Sequence, residues 1–146
     1  MPNRSAFPYE TTLEVRDTCL CLHLQRAARA VARGFDEALR AFGLTNGQFS
    51  LLMSLNRPEP PIMGDVAKLL ALDRTTLTAN LKPLERRGLV SVMPDPADRR
   101  SRRLKLTREG EELLAKTYPV WRETHARLDR LVDDPDRLRA DLLKLS

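Results

Sequence analysis

A chain of 146 residues, 42% hydrophobic and 31% charged, carries enough apolar surface to bury a core and is not an unstructured polar tract. Its net charge of +5 is concentrated: residues 73–108 hold ten Lys/Arg against four Asp/Glu, while the rest, with 15 basic and 16 acidic side chains, is nearly neutral. No apolar run approaches the roughly 20 residues of a membrane span, and the N-terminal stretch lacks the apolar segment of a secretion signal, so the expected place of action is the cytoplasm, with no membrane partner.

Residues 1–10, with Pro2 and Pro8, read as a loose arm. Over residues 12–42 the apolar positions Leu13, Leu20, Leu24, Ala27, Val31, Phe35, Ala38 and Phe42 mostly step by three or four, which predicts one long amphipathic helix ended by Gly43. Thr45 followed by Gln48 is a capping box, and Phe49, Leu51, Leu52 and Leu55 mark a second helix closed by Pro58, Pro60 and Pro61. A short third helix is predicted over residues 64–71 with Val66, Leu69 and Leu70 facing inward. After a turn at Leu72, Asp73 caps a fourth helix over residues 74–87, with Pro83 inside it and Gly88 at its end.

Beyond Gly88 the period changes. Residues 89–93 (LVSVM) read as a strand, residues 94–98 (PDPAD) as a turn, and residues 102–106 (RRLKL) as a returning strand, which together make a β-hairpin with a basic tip. Thr107 caps a long helix over residues 108–131. Asp134-Pro135 breaks the chain before a short last helix carrying Leu138, Leu142, Leu143 and Leu145. The fold class is mainly α with a small β-hairpin wing. Residues 45–107 are expected to form a winged helix-turn-helix, and residues 1–44 and 108–146 a helical region whose long apolar stripes exceed what one small core can cover and call for a partner, a dimerisation region.

A short helix, a tight turn and a second helix with a polar face form the layout that presents N-terminal residues of the second helix to a major groove. Those residues are Arg74, Thr75, Thr76, Thr78 and Asn80. Arginine pairs with a guanine edge, asparagine with adenine, and threonine bonds bases or phosphates. Lys82, Arg86 and Arg87 lie further along and suit phosphates. The hairpin tip, Asp98, Arg99, Arg100, Arg102 and Arg103, suits an adjacent minor groove. The competing readings are a solvated charged face and a threonine-rich surface helix. Threonine is a mediocre helix former, so three of them on one exposed turn favour contact with double-stranded DNA.

Nothing in the chain points to catalysis. It has no Gly-rich phosphate loop, no His-Glu-x-x-His and no Gly-x-Ser-x-Gly, and His23 and His125 are its only histidines. No enzyme activity and no cofactor are expected. Cys19 and Cys21 without a secretion signal do not suggest a structural disulfide, and on one helix their side chains would point roughly 200° apart. Cys19 and His23 share a helical face, but two ligands fall short of a metal site, so no metal is expected.

The chain resembles the MarR family of bacterial regulators. The resemblance is carried by Gly43-Leu44-Thr45 with Phe49 and Leu52, by residues 66–70 (VAKLL) and 73–78 (DRTTLT), by residues 84–90 (LERRGLV), and most of all by residues 95–101 (DPADRRS) closed by residues 104–107 (LKLT). It implies a homodimer with a winged helix-turn-helix in each subunit, joined through the first and last helices. It also implies a palindromic operator, usually repressed, and release by a small phenolic or lipophilic effector or by thiol oxidation. The wing arginine of the family maps onto Arg100, and its wing aspartate onto Asp98, which would orient nearby arginines. Long apolar stripes on the first and fifth helices agree with a dimer. Cys21 falls at the position of the reactive cysteine of the organic hydroperoxide regulators. The tyrosines that assist it there would fall at Phe35 and Asn46, neither of which supplies a phenol. An organic peroxide sensed through Cys21, with Cys19 as second candidate, therefore stands beside a buried cysteine that merely packs as a small apolar group.

Overall fold

The computed structural model of the chain describes residues 6–146. The chain divides into two compact units, Met1–Gly34 and Phe35–Ser146. Of the expected N-terminal arm, residues 1–5 lie outside the described residues, and Tyr9 and Glu10 are already helical.

In the first unit the single helix expected over residues 12–42 is interrupted. Helix α1 (Tyr9–Thr18) ends at Cys19, whose backbone is extended (φ −67°, ψ 107°), and α2 (Leu20–Leu39) begins after it. The Thr18 hydroxyl turns back to the Glu14 carbonyl (2.7 Å), and the Cys19 sulfur accepts the Leu22 N–H (3.4 Å). Cys19 thus closes one helix and caps the next, which the three-to-four spacing of apolar residues cannot register because it continues across the break. Helix α1 has no buried residue.

The second unit opens on the end of α2, a 3-10 turn over Arg40–Phe42, and Gly43 in the left-handed region (φ 67°). Helix α3 (Asn46–Ser54) carries the expected capping box: the Thr45 hydroxyl accepts the Gln48 N–H and Gln48 Oε1 accepts the Thr45 N–H. Then come α4 (Met63–Leu69), α5 (Arg74–Arg86), β1 (Val90–Pro94), β2 (Arg102–Leu106), α6 (Arg108–Asp129) and α7 (Pro135–Lys144).

The core is aliphatic. Leu39, Leu51, Leu52, Val66, Leu77, Leu84 and Leu104 are fully enclosed. Burying each such side chain is worth about 1.5–3 kcal/mol. On α4 the inward residues are Val66 and Ala67, with Leu70 packed against the core. Leu69, expected inside, is 61% exposed. At about 100° per residue, positions 66, 67 and 70 share an arc that excludes 69.

The strands pair antiparallel with Val90 opposite Leu106 and Val92 opposite Leu104. A third chain segment joins them. Ile62 bridges Arg103, and the Leu104 N–H donates to the Pro61 carbonyl at 2.9 Å. The proline run expected only to end α3 therefore also borders the hairpin. Proline tolerates that place because an edge needs few donors. At the other end of β2, Gly110 lets α6 approach β1: a Cβ there would collide with the Leu89 carbonyl and lie 2.7 Å from Leu106 Cδ1.

Candidate nucleic-acid interface

The turn before α5 is built by local hydrogen bonding. Ala71 adopts the left-handed region (φ 52°), and the Leu72 N–H returns to the Ala67 carbonyl (2.9 Å). Asp73 caps α5 by accepting the Thr76 N–H (2.7 Å) and the Thr76 hydroxyl (3.1 Å). These bonds, the backbone one first, hold the Asp73 carboxyl below its ordinary range. A capped, pre-set first turn is what a helix needs to present side chains from its N-terminus.

Leu77, Leu81 and Leu84 bury one face of α5. The other face carries Arg74, Thr75, Thr76, Ala79, Lys82 and Arg86, all exposed. Thr75, Ala79, Lys82 and Arg86 follow one another at helical spacing along it. Thr78 and Asn80 are half-buried at its border. Asn80 leans towards the start of α3, where a Cβ on Gly47 would lie 3.6 Å from its Nδ2. The Thr76 hydroxyl proton is committed to Asp73, so its outward-facing capacity is as an acceptor.

Arg87 is exposed, but its guanidinium is engaged within the fold and not free as the charge pattern suggests. Its guanidinium donates to the carbonyls of Gly43 (2.7 Å) and Phe42 (3.0 Å).

The wing tip is a tight turn organised by Asp98. Its Oδ1 accepts the Arg100 N–H (2.9 Å), its Oδ2 accepts the Ser101 hydroxyl (3.4 Å), and its carbonyl accepts the Ser101 N–H (3.0 Å). Asp98 therefore shapes the backbone and does not clasp a guanidinium. Arg99, Arg100 and Arg102 are exposed, and among the described residues none of their guanidinium groups has a hydrogen bond or ion pair.

Arg103, by contrast, faces inward. It donates to Asp95 Oδ1 (3.1 Å) and to the Pro60 carbonyl (2.7 Å), buckling the loop end of the strands to the segment before α4. Asp95 is buried, and its carboxyl is held below its ordinary range first by the Ala97 N–H, against the opposing effect of burial, and then by Arg103. Sequence reasoning missed this buckle. The visible signal was an aspartate and an arginine on the two sides of the hairpin loop.

An apolar groove of about 570 Å³ lies beside α3, α4 and α6, lined by Phe49, Met53, Leu69, Leu70, Tyr118 and Trp121 among others. Trp121 is one of its walls, stacked with Phe49 (6.3 Å), Tyr118 (6.0 Å) and His125 (4.8 Å). The sequence reading identified none of these as lining a site, because at helical spacing they are indistinguishable from core.

In the first unit Cys21 is exposed, with its sulfur accepting from Gln25 Nε2 (3.4 Å), and Cys19 is half-buried at the helix break; both are free thiols. The expectation that both ride one helix fails at Cys19, and with it the geometric ground for excluding their pairing. The His23 ring meets the Cys19 carbonyl (2.7 Å) instead of sharing a ligand face with its sulfur. Among the described residues no group of three or more His, Cys, Asp or Glu is placed to hold a metal, and no helix is long and apolar enough to cross a membrane.

A family model described as the MarR family matches residues 44–101. The crystal structure of the Mycobacterium tuberculosis transcriptional regulator MosR, solved in complex with DNA, superposes with a TM-score of 0.80 at 40% identity, covering 87% of this chain and 92% of that one. The transcriptional activatory protein BadR of Rhodopseudomonas palustris is 35% identical over 97 residues, 64% of this chain and 55% of its own length. The transcriptional repressor NicR of Pseudomonas putida is 35% identical over 80 residues, 55% of this chain and 51% of its own. The chain thus spans about half the length of these two curated relatives.

Proposed function

This chain belongs to the MarR family of transcription regulators, not to an enzyme family, and on that premise we propose that it is a cytoplasmic homodimer that binds a palindromic operator and represses transcription from it. Helix α5 enters the major groove through Arg74, Thr75, Thr76, Thr78 and Asn80, with Lys82 and Arg86 on phosphates. The wing carries Arg99, Arg100 and Arg102 to the neighbouring minor groove, on a turn fixed by Asp98. The observation that supports this most is the set of three exposed wing guanidiniums without internal partners. An arginine with no partner in its own fold is available for an anion.

The dimer reading is supported by apolar surface that each unit leaves uncovered. In the first unit Tyr9, Val15 and Leu20 are all more than half exposed, and in the second so are Leu131, Leu143 and Leu145. Residues 1–44 and 108–146 would bury these against a second copy, and residues 45–107 would form the DNA-binding part. Two-fold symmetry then spaces the recognition helices by about 34–36 Å, one turn of DNA.

The trigger we favour is a small phenolic or lipophilic effector in the groove around Trp121, whose lining is aromatic and aliphatic with few polar groups. A second reading, oxidation of Cys21 by an organic peroxide, is favoured by the exposure of that thiol. The test is fluorescence anisotropy on DNA from upstream of the protein's own gene, reduced and after organic hydroperoxide. Tight binding lost on oxidation, restored by thiol and insensitive in Cys21→Ser assigns the trigger to Cys21. Binding indifferent to oxidant sends the search to the groove. No preference for that DNA over random sequence would sink the operator reading.

A further inference from the structure

The C-terminal end of α5 is tied to the end of α2 by one side chain. Arg87, the residue that closes α5, donates from Nη1 to the Gly43 carbonyl at 2.7 Å and from Nη2 to the Phe42 carbonyl at 3.0 Å. Both carbonyls lie where a helical run stops, so they lack an N–H from a following turn and sit at the negative end of the helix dipole. A planar guanidinium forked over two such oxygens fixes direction as well as distance.

Gly43 leaves the fork its room. Its φ is 67°, and a Cβ there would stand 3.2 Å from Arg87 Nη1, closer than the guanidinium tolerates without moving. The same corner is clasped from the other side: Asn46 donates its backbone N–H (2.7 Å) and its Nδ2 (2.8 Å) to Asp36 Oδ1. The end of α2 is therefore fixed to the start of α3 by Asp36 and to the end of α5 by Arg87.

We propose that Arg87 is a positioning residue for operator binding, one that sets the angle at which α5 is held against the end of α2, and not a phosphate ligand. This rests on the reading of α5 as the recognition helix. Two contiguous basic residues, Arg86 and Arg87, thus divide their work: Arg86 is exposed without an internal partner among the described residues, while the Arg87 guanidinium is committed to backbone carbonyls.

Anisotropy on operator DNA with Arg87→Met, Gly43→Asn and the double variant tests it. Asparagine accepts the left-handed backbone, keeps every charge, and sets a Cβ 3.2 Å from Nη1, so the guanidinium must give by a few tenths of an ångström. Arg87→Met removes the fork outright and is expected to lose up to about tenfold in affinity, with the slope of log affinity against log salt unchanged. Gly43→Asn, which only loosens the fork, is expected to lose less, and the double variant no more than Arg87→Met alone. Arg87→Lys, which restores one donor to the carbonyls, is expected to recover part of the loss.

A salt slope flattened by about 1.8 in Arg87→Met would make Arg87 a phosphate ligand and overturn the proposal. So would undiminished affinity in Arg87→Met. Thermal melts of the free proteins show that each variant is folded at the assay temperature, and Arg87→Lys carries the test if Arg87→Met is not. Arg74→Ala in the same assay keeps the two readings apart: undiminished binding there refutes the recognition-helix reading, whatever Arg87 does.

Discussion

Replacing Arg100 by alanine tests the wing directly, and its consequence is a slope. The Arg100 guanidinium has no partner among the described residues, whereas its backbone N–H holds Asp98 at 2.9 Å. Alanine keeps that N–H, so the turn should survive and only the charge disappear. Each phosphate neutralised contributes about 0.9 to the fall of log affinity with log salt. A dimer losing Arg100 twice should flatten that slope by about 1.8, and removal of Arg99, Arg100 and Arg102 together by up to about 5.4. Between 50 and 200 mM salt a single contact corresponds to about a 3.5-fold difference, so the single variant is already measurable by anisotropy titration at four or five salt concentrations. Arg108→Ala is the matched control. It removes the same charge from α6, where Arg108 meets Glu112 at 3.1 Å, and should leave the slope nearly unchanged. A slope in Arg100→Ala equal to that of the parent, or equal flattening in Arg108→Ala, would refute the assignment of the wing tip to DNA.

Two further perturbations address the scaffold. Gly110→Ala drives a methyl group into the Leu89 carbonyl and Leu106, so α6 must move off the hairpin; overpacking of this kind costs about 1–3 kcal/mol, and a thermal melt should fall by several degrees. An unchanged melting temperature would mean the junction is looser than its geometry. The acid response follows from Asp73 and Asp95, whose carboxyls are both held below their ordinary range in the folded chain. A depressed folded pKa gives stability that is fully present above the unfolded value, about 4, and is lost as pH falls through the folded value. Urea midpoints should therefore be insensitive to these groups near neutrality and drop below about pH 4. The acid drop should be smaller in Arg103→Met but still present, because the Ala97 N–H remains on Asp95. An acid profile identical in the two proteins would remove Arg103 from the account.

The elements that read most clearly from sequence are those whose signals are local. The capping box at Thr45, the Asp73 cap and the switch from helical to alternating period after Gly88 each depend on a few adjacent residues, and each is where the sequence places it. The break at Cys19 was illegible for the converse reason. It depends on a hydroxyl and a sulfur competing for backbone groups, while the apolar spacing on either side stays in register. Leu69 was misplaced because a helix of seven residues is too short for its spacing to define a face. The Trp121 groove was invisible because it is made by residues some seventy positions apart in sequence, Phe49 to Trp121, that meet only in the fold.

The basic excess of residues 73–108 shows why charge marks a region but not a role. Arg74, Arg86, Arg99, Arg100 and Arg102 stand in solvent without internal partners among the described residues, whereas Arg87 and Arg103 are spent on backbone carbonyls at the two margins of the helix-turn-helix. In sequence the two kinds alternate within the same motifs, Arg86-Arg87 and Arg102-Arg103, one free and one engaged by the fold in each. On a helix, neighbours separated by about 100° already diverge, and on a strand successive side chains point to opposite faces, so adjacency itself produces the division. The engaged arginines brace α5 and the wing against the rest of the second unit. The free ones then meet an anion from a backbone that is already fixed. Binding has only their side-chain rotamers left to order, because a backbone already held in place loses little further freedom.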